Sequence, residues 1–473
     1  MTTTDRPGRQ TASRSGPAGG TDVLATAERI LAVVRDRSAD AEAEVTVRRG
    51  TEALTRFANG FIHQNVAEEV ATIRLRIALD GHVASASLGG AAASADGAAD
   101  RTVLERLVDG AIEAARVRPP DPGWPGLTPP TPVPAVDHWD DATAAATPDE
   151  RAERVAAFVA AGDGLETAGY CSTSAVHVGF ANSAGQTCTG RSTVAEMHGI
   201  ARTGTSDGSA RDGGVALAAI DGGAIGALAA RKARDGAEPT DLEPGRYPVV
   251  LEPDAVADIL HFLGIYGFNG RAVEEGRSFV RLGERQLDPS IEIREDASDP
   301  GTVGLGFDVE GTPKRPVELV RSGVTSAILH DRRTAAKAGA TSTGGALPGA
   351  ESIGPLPTNL VLEAGRMPAA DLVAGLERGL LVTSFWYTRI LDPRTLVVTG
   401  LTRNGVWLVE DGRVVRPVKN LRFTQSYVEA LAPGAVAAIS RERSLVPDAW
   451  DDGATLVPSL RLAAWNFTGG ARG

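Results

Sequence analysis

Residues 118–135 read RPPDPGWPGLTPPTPVPA, and neither a regular helix nor a central strand can run through them. Eight of the eighteen are proline, which lacks a backbone donor and holds φ near about −65°. The stretch therefore reads as an extended, semi-rigid connector. It sets the divisions expected on either side: a disordered tail at 1–20, an N-terminal α+β domain at 21–117, the linker at 118–135, a middle α+β domain at 136–240, and a β-rich C-terminal domain at 241–473.

Periodicity fills in these units. TDVLATAERILAVVRDR repeats Leu24, Ala27, Ile30, Leu31 and Val34 at helical spacing, with a cap expected at Thr21 or Asp22. VATIRLRIAL alternates as a half-buried strand, and Asp80-Gly81 is a hairpin signal. A second helix is expected near 100–117. Past the connector, Thr147 with Glu150 forms a capping-box pattern ahead of an Ala-rich helix. Strands near 168–180 and 186–202 follow, then a small-residue helix near 222–235. Val249, Val250 and Leu251 make a short strand, and Pro253 suits the first turn of the next helix. From about 277 onward short β segments alternate with Gly and Pro, and 403–405 and 410–412 read as hairpin turns. The fold class expected is α+β: sandwich-like N-terminal and middle units, then a mostly antiparallel, barrel-like C-terminal domain.

Charge and composition exclude several roles. With 60 acidic against 48 basic residues the net charge is −12, the wrong sign for a nucleic-acid scaffold. The tail lacks the apolar run of an export signal, and the apolar run at 215–230 is broken by Asp221 and glycines. No membrane partner and a cytoplasmic location are expected. The two cysteines, Cys171 and Cys188, flank a turn expected at 182–185. That register sets Cys171 near Glu196 and Cys188 near Gly179, so they are read as buried thiols rather than a disulfide.

The histidines are seven and scattered. In ADILHFLGIYGFNG, His261 is followed by Phe262, Ile265 and Tyr266 where a zinc helix needs a Glu and a second His. The stripe Val256, Ile259, Leu260, Leu263 and Gly267 is the buried face, with His261 opposite and paired with Asp258. Gly204-Thr205-Ser206-Asp207-Gly208 matches a nucleophile-elbow pattern but lacks the strand-turn-helix context. Three segments concentrate polar and aromatic character. These are 268–285 with Arg271 and Glu275, the Gly/Ser/Thr-rich 330–349 read as a long exposed loop, and SFWYTRILDPRT. In the last, alternation sends Trp386 and Tyr387 to opposite faces, so one large aromatic is exposed.

Taken together, FANGFIHQN, YPVVLEPDAVADIL, NGRAVEEGRSF, DRRTAAKAGATSTGGA, GLLVTSFWYTRILDPRT and TGLTRNGVWLVEDGRVVRPVKN resemble the TldD/PmbA family of peptidases over about residues 22–435. The resemblance implies a two-subunit zinc metallopeptidase. TldD-type chains carry an HExxxH helix and a distant Cys ligand, and TldE (PmbA)-type chains share the fold without them. With the helix ends aligned at Phe268-Asn269, Ala257, Asp258 and Phe262 take the places of the first His, the Glu and the second His. The late Cys is missing too.

This chain therefore resembles the TldE type. No catalytic or metal-ligating residue and no cofactor are expected in it, with zinc in a TldD-type partner, in a heterodimer or larger assembly active only as a complex. The implied substrates are peptides or unfolded segments. The partner- or substrate-contacting residues expected are Trp386, Tyr387, Arg389, Arg403, Arg271 and Glu275. The alternatives are a stand-alone hydrolase with a non-metal site and a peptide-binding scaffold.

Overall fold

The structure is a computed structural model that describes residues 19–447 and 453–470; the tail expected at the N-terminus lies, through residue 18, outside the described residues. Helix α1 (Gly19–Arg37) starts ahead of both cap candidates and buries Val23, Ala27, Ile30 and Val34. It is followed by β1 (Glu42–Ala58), β2 (Phe61–Leu79), β3 (His82–Gly89), α2 (Ala95–Ala99) and α3 (Arg101–Val117). Beyond the proline-rich stretch come α4 (Asp141–Ala144), α5 (Pro148–Ala161), β4 (Glu166–Asn182), β5 (Thr187–Arg202), β6 (Asp207–Gly214) and α6 (Gly222–Asp235). The Thr147–Glu150 capping box forms, and Asp80 and Gly81 both take the positive φ of a tight hairpin turn.

The two units on either side of the connector share one sheet, ordered β3-β2-β1-β4-β5-β6. Strand β1 pairs with β2 on one edge and with β4 on the other, from Glu44–Asn182 to Ala58–Ala168. A lone β1–β3 sheet would leave a long unpaired edge on β1, and β4 satisfies it. The connector is strapped across this junction. Thr128 donates its hydroxyl to the Glu310 carbonyl at 2.7 Å, and the Asn182 amide donates to the Thr128 carbonyl at 2.8 Å.

All long helices lie on one face of the sheet. Val45, Val47, Ile73 and Leu75 pack with α1 and α3, and Phe57, Cys171 and Met197 with Phe158 of α5 and Ala229 of α6. The backbone of α1 crosses β4 so closely at Gly179 that a Cβ there would stand 2.6 Å from Leu24 N. The β4–β5 turn is one residue longer than the sequence suggested, because Asn182 N donates to the Gln186 carbonyl. Cys171 consequently faces Met197, and Cys188 faces Phe180. Both thiols are free and buried, and burial pushes their pKa values up to about 11 and about 12.

The opposite, even-numbered face looks onto the C-terminal domain. That domain opens with β7 (Gly245–Leu251), α7 (Pro253–Phe262), a π-turn over Leu263–Gly267 and α8 (Gly270–Glu274). Next are β8 (Ile293–Glu295), β9 (Val317–Arg321), β10 (Val324–Thr325), α9 (Arg332–Ala338), β11 (Leu360–Leu362) and α10 (Ala369–Ala374). It ends with β12 (Arg378–Asp392), β13 (Val397–Glu410), β14 (Arg413–Pro417), β15 (Leu421–Ser426), α11 (Tyr427–Ala430), β16 (Val436–Pro447) and β17 (Ala454–Gly470). Strands β17, β15, β13, β12 and β7 pair in a closed ring, since β7 also pairs with β17. Between the named strands, only β7–β12 and β11–β17 pair in parallel. Closure removes the edges over the stretch where all five strands pair, and the ring is filled by Trp465 with Phe385 and Phe423, the first pair stacked at 5.0 Å. Val256, Ile259, Leu260 and Leu263 of α7 join the same core.

Asn404-Gly405 is not a hairpin turn. It sits inside β13, where the pairing slips by one residue between Val382–Val406 and Ser384–Arg403. Both residues have positive φ, so the turn-prone pair is used as a bulge. The turn signal at Asp411-Gly412 holds, with Glu410 opposite Arg413.

Candidate functional site

Helix α7 is the first place to look. Pro253 occupies its first turn, and the expected apolar stripe is buried. His261 is half-exposed, but it is not the main partner of Asp258. The Asp258 carboxylate accepts the Thr388 hydroxyl at 2.7 Å and the Tyr427 hydroxyl at 2.6 Å. Burial pushes its pKa up, while those two hydroxyls and the nearby His261 pull the other way. Phe262 stacks on Tyr266 with ring centroids 5.7 Å apart. This site ties α7 to β12 and α11.

The expected contact surface lies beside it, on β12 and β13. Trp386 and Tyr387 are both exposed, at 47% and 64%. Strict alternation fails because β12 bulges here, with pairing slipping between Trp386 and Arg389 and Tyr387 at φ 53°. The two rings meet edge to face at 5.6 Å. The Arg403 guanidinium lies 4.2 Å from the Trp386 ring centre, and that of Arg389 lies 5.8 Å from Tyr387. Among the described residues neither arginine forms a salt bridge, so both guanidiniums retain donors for an outside carboxylate.

Arg271 and Glu275 are in a separate place, at α8. They pair with each other at 2.8 Å, Arg277 also pairs with Glu275, and Arg271 donates to the Glu351 carbonyl at 3.0 Å. They line a charged cleft of about 250 Å³ with Asp331, Arg333 and Lys337. The segment at 330–349 is not a loose exposed loop. Asp331 caps α9 reciprocally with Thr334, and His330, Arg332 and Ala346 are buried.

Sequence reasoning missed the contacts between the domains. Arg332 reaches Glu44 at 2.6 Å and Glu310 at 3.1 Å, and Arg76 reaches the same two carboxylates at 3.0 and 3.3 Å. Both guanidiniums lie over Trp124 of the connector. Nearer α7, Tyr170 donates to Glu196 at 3.0 Å, and Arg211 stands 3.1 Å from Asp254. His198 packs edge-on to Tyr170; burial and then Arg211 pull its pKa down to about 3, so it is neutral. A capping pattern at Asp331 and Thr334 was the one sequence signal that could have found this interface.

Residues 244–469 match the family model of the PmbA/TldA metallopeptidase C-terminal domain. This domain belongs to the PmbA/TldD family. A metalloprotease of Synechocystis is 28% identical over 192 residues, 39% of this chain and 41% of the relative. The metalloprotease TldD homolog of Haemophilus influenzae is 25% identical over 206 residues, 42% of each chain. The match thus spans about two fifths of each curated relative. The crystal structure of TldE from Thermococcus kodakarensis superposes with TM-score 0.83 at 19% identity, covering 94% of this chain and 100% of that one. The α+β architecture and the β-rich C-terminal domain are thus those of a known fold.

Against the zinc site that the PmbA/TldD resemblance implies, the residues of α7 do not fit. Ala257 and Phe262 are buried apolar side chains, and the Asp258 carboxylate already takes two hydroxyls. A catalytic zinc needs about three protein donors converging with an open position. Among the described residues no group of three or more His, Cys, Asp or Glu gathers in that way. Nor, among them, is any helix long and apolar enough to cross a membrane.

Proposed function

We propose that this chain is the TldE-type subunit of a two-subunit zinc metallopeptidase acting on peptides or unfolded segments. In this reading the TldD-type partner carries the zinc, and this chain carries no metal ligand of its own. The observation that carries the proposal is the hydrogen-bonded closure of Asp258 by Thr388 and Tyr427, at the helix position where the resemblance puts a catalytic Glu. A buried carboxylate with a hydroxyl donor on each oxygen is committed to holding the fold rather than presented to a metal-bound water.

The chain's contribution is positional. The exposed pair Trp386 and Tyr387, with Arg403 and Arg389 beside them, supplies an aromatic and cationic surface for the partner or for a peptide carboxylate. Holding a substrate in register contributes several kcal/mol to a reaction that the partner's metal performs.

The test is reconstitution with a TldD-type chain, assayed on unstructured peptides, with metal analysis of each purified subunit. Hydrolysis is expected only from the mixture, with zinc in the partner. One zinc per copy of this chain, lost in His261→Ala, or activity of this chain alone after chelation, would overturn the assignment.

A further inference from the structure

Strand β3 ends at Gly89, opposite Thr72 of β2. Over residues 61–71, therefore, β2 has β1 on one side and, among the described residues, no strand on the other. Eight of these eleven residues are exposed and none is buried, with Phe61 at 59%. The stretch reads FIHQNVAEEVA and holds neither the proline nor the lysine with which an open edge is usually blunted. Whatever pairs with it must meet its two acids, Glu68 and Glu69.

The direction of the free backbone groups follows from the neighbouring hairpin. Its two-residue turn at Asp80-Gly81 makes Leu79 and His82 a hydrogen-bonded pair, with Leu79 turned toward β3. Alternation carries that direction back along β2 to every odd position. Asn65, Ala67, Glu69 and Ala71 thus turn their N–H and C=O groups to the open side. The even residues between them, such as Val66 opposite Leu54, bond to β1.

The open stretch is centred on Val66, and its side chains are complementary about that residue. Antiparallel pairing with an identical edge, across a two-fold axis at Val66, uses the whole stretch and sets odd residues against odd ones, as the free backbone groups require. Val66 then meets Val66, Gln64 meets Glu68, His63 meets Glu69, Ile62 meets Val70 and Phe61 meets Ala71. No two like charges stand opposite each other. An axis at Asn65 would set Ile62 against Glu68 and Phe61 against Glu69, and one at Glu68 would set that acid against itself. The ladder with β1 slips at His63, so the new pairing is most regular over residues 64–68.

We infer that the open edge of β2 pairs antiparallel with the same edge of a second copy of this chain, about a two-fold axis at Val66, joining the two six-stranded sheets into one. Any strand would satisfy the backbone groups; the match of the side chains with themselves selects a second copy. Such an interface is closed, since each copy uses the same patch and leaves no further edge to extend. The inference does not rest on the peptidase-subunit reading, and it is measured on this chain alone.

The experiment is sedimentation velocity of the full chain from about 1 to about 100 µM, which should show a shift from one chain to twice that mass. Ala67→Pro removes an outward N–H from each copy and leaves the ladder with β1 intact, so it should weaken the dimer about tenfold or more. Register is read by cross-linking with oxidised glutathione, which takes up the two thiol hydrogens as two molecules of reduced glutathione. In Val66→Cys the two Cα atoms at the axis stand about 4.5 Å apart, within disulfide reach, and a covalent dimer should form. In Val70→Cys the two thiols lie about 27 Å apart along the strands, and none should form. The native Cys171 and Cys188 are buried and do not compete. A chain that stays single at about 100 µM overturns the inference. So does a Val66→Cys protein that does not cross-link, or that cross-links no better than Val70→Cys, whether or not Ala67→Pro folds. If Ala67→Pro leaves the mass of the free chain unchanged at every concentration but weakens association with a TldD-type chain, the edge belongs to that partner and the inference falls equally.

Discussion

The Tyr427 hydroxyl donates to Asp258 across 2.6 Å, joining α11 to the one turn of α7 where the family resemblance implies catalysis. Thr388 of β12 donates to the other oxygen. A buried carboxylate held from two elements fixes the helix against the closed ring, and both donors sit on strands or helices that the ring itself positions.

Removing one donor should therefore be felt as stability. Tyr427→Phe keeps the ring and its packing but leaves a buried carboxylate oxygen without its partner, at a cost of about 1–3 kcal/mol. Urea unfolding of the two proteins measures it. An unchanged midpoint would mean that the hydroxyl contributes nothing to holding α7.

The contact between the domains offers a larger effect. Arg332 is buried and shared by Glu44 and Glu310, with Arg76 as the second cation. Arg332→Met leaves two buried carboxylates with one cation, and breaking such a pair costs about 3–5 kcal/mol. Replacing Glu44 and Glu310 by Gln in the same chain should recover much of that loss. If the triple variant is no more stable than the single, the loss comes from packing rather than charge.

Asp308 predicts a pH dependence. It is buried beside Glu310 with no cation among its hydrogen-bond partners, and burial first, then Glu310, pushes its pKa up to about 7, while Arg332 and Arg76 help hold Glu310 low. The folded state thus keeps a proton that the unfolded chain releases near about pH 4. Its contribution is fully present below that value and is lost as pH rises through about 7. The unfolding free energy of the protein, relative to Asp308→Asn, should fall by up to about 1.4 kcal/mol per pH unit across that window. Parallel curves would show that Asp308 is ionised throughout.

Periodicity and caps made the elements legible. The Thr147 box, the Pro253 helix start and the Asp80-Gly81 turn are local devices, and each forms where local chemistry dictates. What the chain does with a turn-prone pair is decided by its neighbours. Asn404-Gly405 faces Thr383 within a continuous ladder, and the ring's closure makes it a bulge. The same cause exposes Trp386 and Tyr387 together. The segment at 330–349 looked too polar to pack because Arg332 reads as a surface residue until Glu44, some 288 positions away, is placed beside it. The site was legible only where it is local. The helix without its ligands could be read from spacing, whereas the arginines over the aromatics and the ion pairs between the domains depend on pairings across the whole chain.

Arg389 and Arg403 carry the last prediction. They lie over Tyr387 and Trp386 and, among the described residues, form no salt bridge, so each guanidinium has donors to spare beside an exposed aromatic. Aromatic and arginine side chains are the residues that most often dominate association energies. Strand β12 beyond Val382 is paired, among the described residues, only with β13, which leaves backbone groups along its other side. Arg389→Ala and Arg403→Ala should each weaken association with a TldD-type chain, or peptide turnover by the pair, by about tenfold. Neither removes a buried contact, so the melting midpoint should move by no more than a surface substitution allows, about 0.5 kcal/mol. Turnover and association are measured on the reconstituted pair, with the melting curve of each variant alone as the control. Full activity and association in both variants would place the contact surface elsewhere, and so would losses that track unfolding.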